Sequence, residues 1–115
     1  MDVKQLYENV SIRVPLDTRS FLDYLNETLA ELSAMFDDYV FKTGEEGAVM
    51  HTMEQKLPIR PPYFPALVYN ILYLCGYDKN GTFKSEFVRL ATDANERIKT
   101  KTLKQKSRII KRTGW

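Results

Sequence analysis

Cysteine and histidine each occur once in these 115 residues, as Cys75 and His51. A single thiol excludes an internal disulfide framework and a thiolate metal cluster, so the core must hold by packing. One histidine, with no serine–acid or cysteine arrangement at a recognised spacing, gives a hydrolytic triad no support. His51 reads as a surface residue of a hairpin. Cys75 lies in the most apolar stretch and reads as a small buried hydrophobe rather than a reactive thiolate. Also missing are a phosphate-binding glycine loop, an EF-hand and a cluster of metal-ligating acids. The acids occur singly or as the adjacent pairs Asp37–Asp38 and Glu45–Glu46, which are usually solvated. Neither catalysis nor a cofactor or metal is therefore expected. Long hydrophobic runs are absent too. The stretch from Phe64 to Tyr77 is interrupted by Pro65, Asn70 and Gly76 and is shorter than the roughly 18–20 residues of a membrane span. The first residues lack the basic and apolar regions of a secretory signal, which makes a reducing, cytosolic place of synthesis the expectation.

What is present is an uneven distribution of charge. The net +2 conceals an acidic body and a basic end. Residues 1–96 carry nine Lys and Arg against all fifteen Asp and Glu, a net of minus six. Residues 97–115 carry eight basic groups and no acid.

Apolar residues in the body recur at helical period, so the expected fold is mainly α, a small four-helix bundle in residues 1–100. Asp2 can cap a first helix in which Val3, Leu6, Tyr7 and Val10 share one face, and Pro15 separates it from the next. Asp17 or Thr18 can cap a second helix with the stripe Phe21, Leu22, Leu25, Leu29, Leu32 and Phe36. Its opposite face bears Asp23, Glu27 and Glu31 at i+4 spacing, like charges that favour solubility or a basic partner over helix stability. A third helix should start after Arg60–Pro61–Pro62 and end at Gly76. It is apolar on most sides, as a buried central helix must be. After a turn at Asp78–Gly81, Thr82 or Ser85 can cap a fourth helix along Phe83, Phe87, Leu90, Ala91, Ala94 and Ile98. The clustered aromatics, Tyr63, Phe64, Tyr69, Tyr73, Tyr77, Phe83 and Phe87, are better explained by packing than by a ligand pocket.

Between helices two and three, about twenty unstructured residues would be unusual in a compact domain. A β-hairpin is expected there, Tyr39–Phe41 against Ala48–Met50 around Gly44-Glu45-Glu46-Gly47, or failing that a long loop.

Residues 101–115 are expected to leave the body as an extended basic tail. Three readings compete for it: a solvated end, a contact with nucleic-acid phosphates, and docking into an acidic groove of a protein. Ile109, Ile110 and Trp115 lie among the charges, and such groups anchor a segment that orders on binding. Protein docking is the preferred reading. Fully extended, the nineteen residues 97–115 reach ~60–65 Å, far enough to cross a neighbouring subunit and engage a second protein.

Two stretches resemble the head-to-tail adaptor (connector, or head-completion) proteins of tailed bacteriophages. Leu16 to Leu32 is similar to that family's early helix, with a Leu-Asn-Glu-x-Leu-x-x-Leu run from Leu25 to Leu32. Leu57 to Leu74 is similar to the Leu-Pro…aromatic…Ala-Leu-Val start of its central helix. The resemblance implies a homo-oligomeric ring, commonly of twelve, seated under the portal and joining it to a stopper or tail-completion protein. It implies a location in the virion neck, after synthesis in the host cytoplasm, with packaged DNA passing through without sequence-specific binding. It also implies that the C-terminal segment grips the portal, through Lys104, Lys106, Arg108, Ile109, Ile110, Lys111, Arg112 and Trp115. Two further expectations accompany it. Asp23, Glu27 and Glu31 would meet Lys84, Arg89 or Arg97 of the next subunit, and Gly44, Glu45, Glu46 and Gly47 would face the channel, where negative charge repels the duplex. The alternative function is a small nucleic-acid-binding or regulatory protein that uses the basic tail on phosphates.

Overall fold

A computed structural model describes residues 1–77 and 80–112, the last twelve as backbone. Its helices are α1 (Val3–Ser11), α2 (Thr18–Phe36), α3 (Phe64–Leu74) and α4 (Thr82–Arg112), with 3-10 turns at Asp37–Val40 and Pro61–Tyr63. No strand forms among the described residues.

Each helix begins or ends where local chemistry dictates. Asp2 and Gln5 form a reciprocal capping box at α1, each side chain accepting from the other's backbone N–H at 2.8–2.9 Å. Asp17 caps α2 by accepting from the Ser20 N–H at 3.0 Å, and that bond lowers its carboxyl pKa. Pro65 occupies the first turn of α3, where a missing N–H costs nothing. At the other end of α3, Gly76 adopts φ +82°, and the N–H groups of Gly76 and Tyr77 donate to the Tyr73 and Leu72 carbonyls at 3.1 Å. These two bonds are a Schellman motif, which satisfies carbonyls the helix would otherwise leave open.

The core is a single cluster fed by every segment: Leu6 and Val10 from α1, Phe21, Leu25 and Leu32 from α2, Leu67 and Ile71 from α3, Phe87 and Ala91 from α4. Tyr63 is fully buried, and its hydroxyl donates to Asn95 Oδ1 at 3.3 Å. The expected surplus of aromatics is thus mainly packing. Tyr69 meets Phe83 edge-on at 5.5 Å, Tyr77 stacks on Phe83 at 5.8 Å, and Tyr73 and Tyr77 stand at the rim.

Two expectations are corrected. The first is the hairpin: the long loop forms instead. Residues 40–42 pair with 58–60, with Lys42 N–H on the Pro58 carbonyl at 2.8 Å and Arg60 N–H on that of Val40 at 2.9 Å. Met50 is gripped by Asn26, whose amide both donates to and accepts from its backbone at 2.9 and 2.8 Å. The backbone groups a hairpin would have paired with one another find these partners instead, while Val40, Phe41, Met50, Leu57 and Ile59 enter the core. The loop also closes the start of α1, whose Val3 and Lys4 N–H groups donate to the Gln55 and Met53 carbonyls at 2.9 Å. The expected turn at Gly44–Gly47 is present, with φ +86° and +74° at its two glycines.

The second correction concerns the tail. α4 does not stop near Ile98. Its backbone continues as helix to Arg112, so residues 101–112 do not leave as an extended strand. Lys, Arg, Gln, Leu and Ile are good or tolerable helix formers, and neither Gly nor Pro interrupts them before Gly114. The packed half of α4 supplies the nucleus, and further residues add at the low cost of propagation. Lys111 and Arg112 also complement the negative end of the helix dipole.

Candidate partner-binding surface

Among the residues whose side chains are described, the last of α4 to join the core are Ala94, Asn95 and Ile98. From there the helix runs fourteen residues further, about 21 Å at 1.5 Å per residue. The molecule is correspondingly long, 58 × 31 × 22 Å, with a radius of gyration of 16.2 Å where ~13 Å suits a compact chain of this length. Residues 99–112 contain seven basic groups and no acid. Lys104, Lys106, Arg108, Ile109, Ile110, Lys111 and Arg112, the expected docking residues, all lie on this helical extension. Trp115, also expected to dock, lies outside the described residues.

The charges expected to join subunits divide into two groups. Asp23 and Glu27 are exposed on α2 and form no ion pair among the described residues. Glu31 is occupied. Its carboxylate receives the Lys84 ammonium at 2.8 Å and the Asn70 amide at 2.5 Å. Lys84 also donates to Asn70 Oδ1 at 2.9 Å and stands 5.0 Å from the Phe87 ring centre. Asn70 and Thr28, both fully buried, complete the network with a 2.9 Å bond between them. This four-residue brace ties α2, α3 and α4 together. Sequence reasoning noticed Asn70 only as an exception in an apolar helix. A lone amide in such a run, on the face that must be buried, was the available signal.

Arg89 is likewise engaged at home, paired with Glu86 and, at 3.4 Å, with Asp93. The hydrogen bond from Arg89 lowers the Glu86 pKa. Of the three cations assigned to a subunit joint, Arg97 alone is exposed with no ion pair to Asp or Glu among the described residues. Gly44, Glu45, Glu46 and Gly47 form an exposed turn at the edge of the body. Beside it lies an open hollow of about 270 Å³ lined by Asn26, Leu29, Ala30, Phe41, Ala48 and Val49 among others.

His51 is exposed, and Cys75 is half-buried at the end of α3, its thiol 3.3 Å from the Leu72 carbonyl. Among the described residues no group of three His, Cys, Asp or Glu side chains could hold a metal ion. No described helix is long and apolar enough to cross a membrane.

Comparison of the chain with protein-family models, curated proteins and solved structures found no match.

Proposed function

We propose that this chain is a noncatalytic structural protein of a tailed-phage virion, a head-to-tail adaptor whose copies form a ring between the portal and the stopper or tail-completion protein. The observation that carries the reading is the division of labour along α4. One half is packed into an acidic body, and the other continues as a basic helix past Ile98, the last of the described side chains to pack on the core. The resemblance in residues 16–32 and 57–74 supports it, since these stretches supply most of α2 and all of α3, the helices that carry much of the core.

In this reading the extension is the joint to the portal, formed by Lys104, Lys106, Arg108, Ile109, Ile110, Lys111, Arg112 and Trp115. Many copies in a ring make such a joint durable even when each contact is modest. Glu45 and Glu46 face the channel, and their charge keeps the passing duplex from sticking. The test is deletion of residues 101–115. Filled heads should then fail to acquire tails although the body still folds, and tailed particles from the truncated chain would refute the assignment.

The density of positive charge favours one other reading, a nucleic-acid-binding protein. Duplex binding whose log affinity falls against log salt with a slope of about minus five or steeper would favour it. Co-purification with a portal, or rings in negative stain, would favour the adaptor.

A further inference from the structure

Helical register sorts the basic residues of α4 in a way that their order in the chain conceals. Arg97, Lys101, Lys104, Arg108 and Lys111 follow one another at steps of four and three, with Arg112 one step from the last. On a helix of 3.6 residues per turn these six positions fall on a single stripe about 22 Å long. The opposite line, Lys99, Leu103, Lys106 and Ile110, has the same spacing and mixed character. Neighbouring like charges at i+3 and i+4 weaken a helix, so such a stripe calls for a negative partner of matching length.

The body of this same protein offers one. The exposed edge of α2 presents Asp23, Glu27, Ala30 and Ala34, again at steps of four, three and four. Asp23 and Glu27 have no ion pair among the described residues, and Asp37 and Asp38 stand exposed at the end of the helix. No basic residue occupies the last turn of α2, which leaves its negative dipole end uncompensated. From Asp23 to Asp38 the edge is about as long as the stripe, and the two alanines allow a second helix to approach closely.

We infer that the basic stripe of α4 in one copy docks along the acidic edge of α2 in another copy of this chain. This deepens the ring reading and rests on it, since it names the contact that joins adjacent subunits. The contact is head-to-tail, because each copy uses a different patch on each side, as closure into a ring requires. It also transfers the cationic side of the joint from Lys84 and Arg89, which are engaged within the chain, to a stripe that begins at Arg97, and it takes Lys104, Arg108, Lys111 and Arg112 from the portal joint into the subunit joint. The helical form of the extension fits this role. About 22 Å of helix covers the width of one neighbouring body, whose molecule measures 31 × 22 Å across, and leaves the line through Lys106 and Ile110 for the portal.

The experiment uses two full-length charge-reversed variants, D23K/E27K and K101E/K104E/R108E, with circular dichroism to verify that each is folded. Asp23 and Glu27 are both exposed on α2. Molar mass is measured for each variant alone and for an equal mixture, at about 0.05 M and about 0.5 M salt, where screening lengths differ severalfold. The wild-type chain should self-associate at the lower salt and dissociate at the higher. Each variant alone should associate at least about tenfold more weakly, because it opposes like charges. The mixture should recover assembly, since each variant's stripe then meets an opposite edge. A wild-type chain that is monomeric throughout, variants that assemble unaided, or a mixture that fails to recover would each overturn the inference. So would a stripe reversal that abolishes duplex DNA binding and leaves the mass unchanged. The adaptor reading fails separately, if heads assembled with the truncated chain still gain tails.

Discussion

The two halves of α4 share one backbone and differ in almost everything else. From Thr82 to Ile98 the helix places Phe87, Ala91 and Ala94 in the core, and Lys84 closes the brace with Glu31 and Asn70. From Lys99 to Arg112 it bears no acid and continues as helix past Ile98, the last of the described side chains to pack on the core. A helix needs a nucleus once, and the packed half supplies it for both. The extension is therefore built at little cost and is available for contacts the body cannot reach.

This contrast yields predictions that would break it or sharpen it. The largest effect is expected at Phe87, fully buried among α4's contacts with the body. Phe87→Ala should destabilise the protein by about 3–5 kcal/mol in urea unfolding. The matching truncation in the extension, Leu103→Ala, should change stability by less than ~0.5 kcal/mol. Equal effects at the two sites would show that the halves form one cooperative unit.

Next is the brace. Asn70→Ala removes one hydrogen-bond partner each from Glu31, Lys84 and the Thr28 hydroxyl, which keeps its bond to the Tyr24 carbonyl, and should cost about 1–3 kcal/mol. Thermal melting of this variant should show α2, α3 and the packed half of α4 loosening together. A neutral result would mean that the network is incidental to the packing of those helices.

A smaller gain is expected at the end of α2. Asp37 has φ +61° and ψ −174°, a region that suits glycine and strains a residue with a side chain. Asp37→Gly should raise stability by about 1 kcal/mol, read as a higher melting temperature, and a fall would indicate that the carboxylate contributes more than the strain costs.

The smallest effect is a pH dependence. Burial of Tyr63 raises its pKa above the ordinary 10.0. Between that value and the folded one, the unfolded chain loses a proton that the folded chain keeps, so stability is full below pH 10 and declines as pH rises above it. Tyr63→Phe should flatten that alkaline decline, as followed by denaturant unfolding at successive pH values.

Most of the fold could be read from residue patterns because its signals are local. Asp2 and Asp17 cap where their side chains reach free amides, Gly76 ends α3 because the chain there turns left-handed, and stripes such as Phe21–Leu25–Leu32 point at a core. The loop between α2 and α3 was misread because its decisive bonds are distant in sequence. Asn26 reaches Met50, and Lys42 reaches Pro58, so local strand propensity at Tyr39–Phe41 lost to tertiary partners. The candidate surface was legible in composition but not in shape. Eight cations without an acid are obvious in the chain, whereas their alignment on one stripe depends on the helix continuing past Ile98, where the apolar periodicity fades. The pairing of Glu31 with Lys84 inside one molecule is likewise a three-dimensional fact, since 53 residues separate them.

The central claim is that the body folds by itself and the basic extension joins it to something else. The most direct measurement compares the full chain with one ending at residue 100, recording the melting temperature and the molar mass in dilute salt. A truncated chain that melts within a few degrees of the full one but remains a monomer, while the full chain assembles, is the outcome expected. A truncated chain that unfolds, or one that assembles as well as the full chain does, would contradict it.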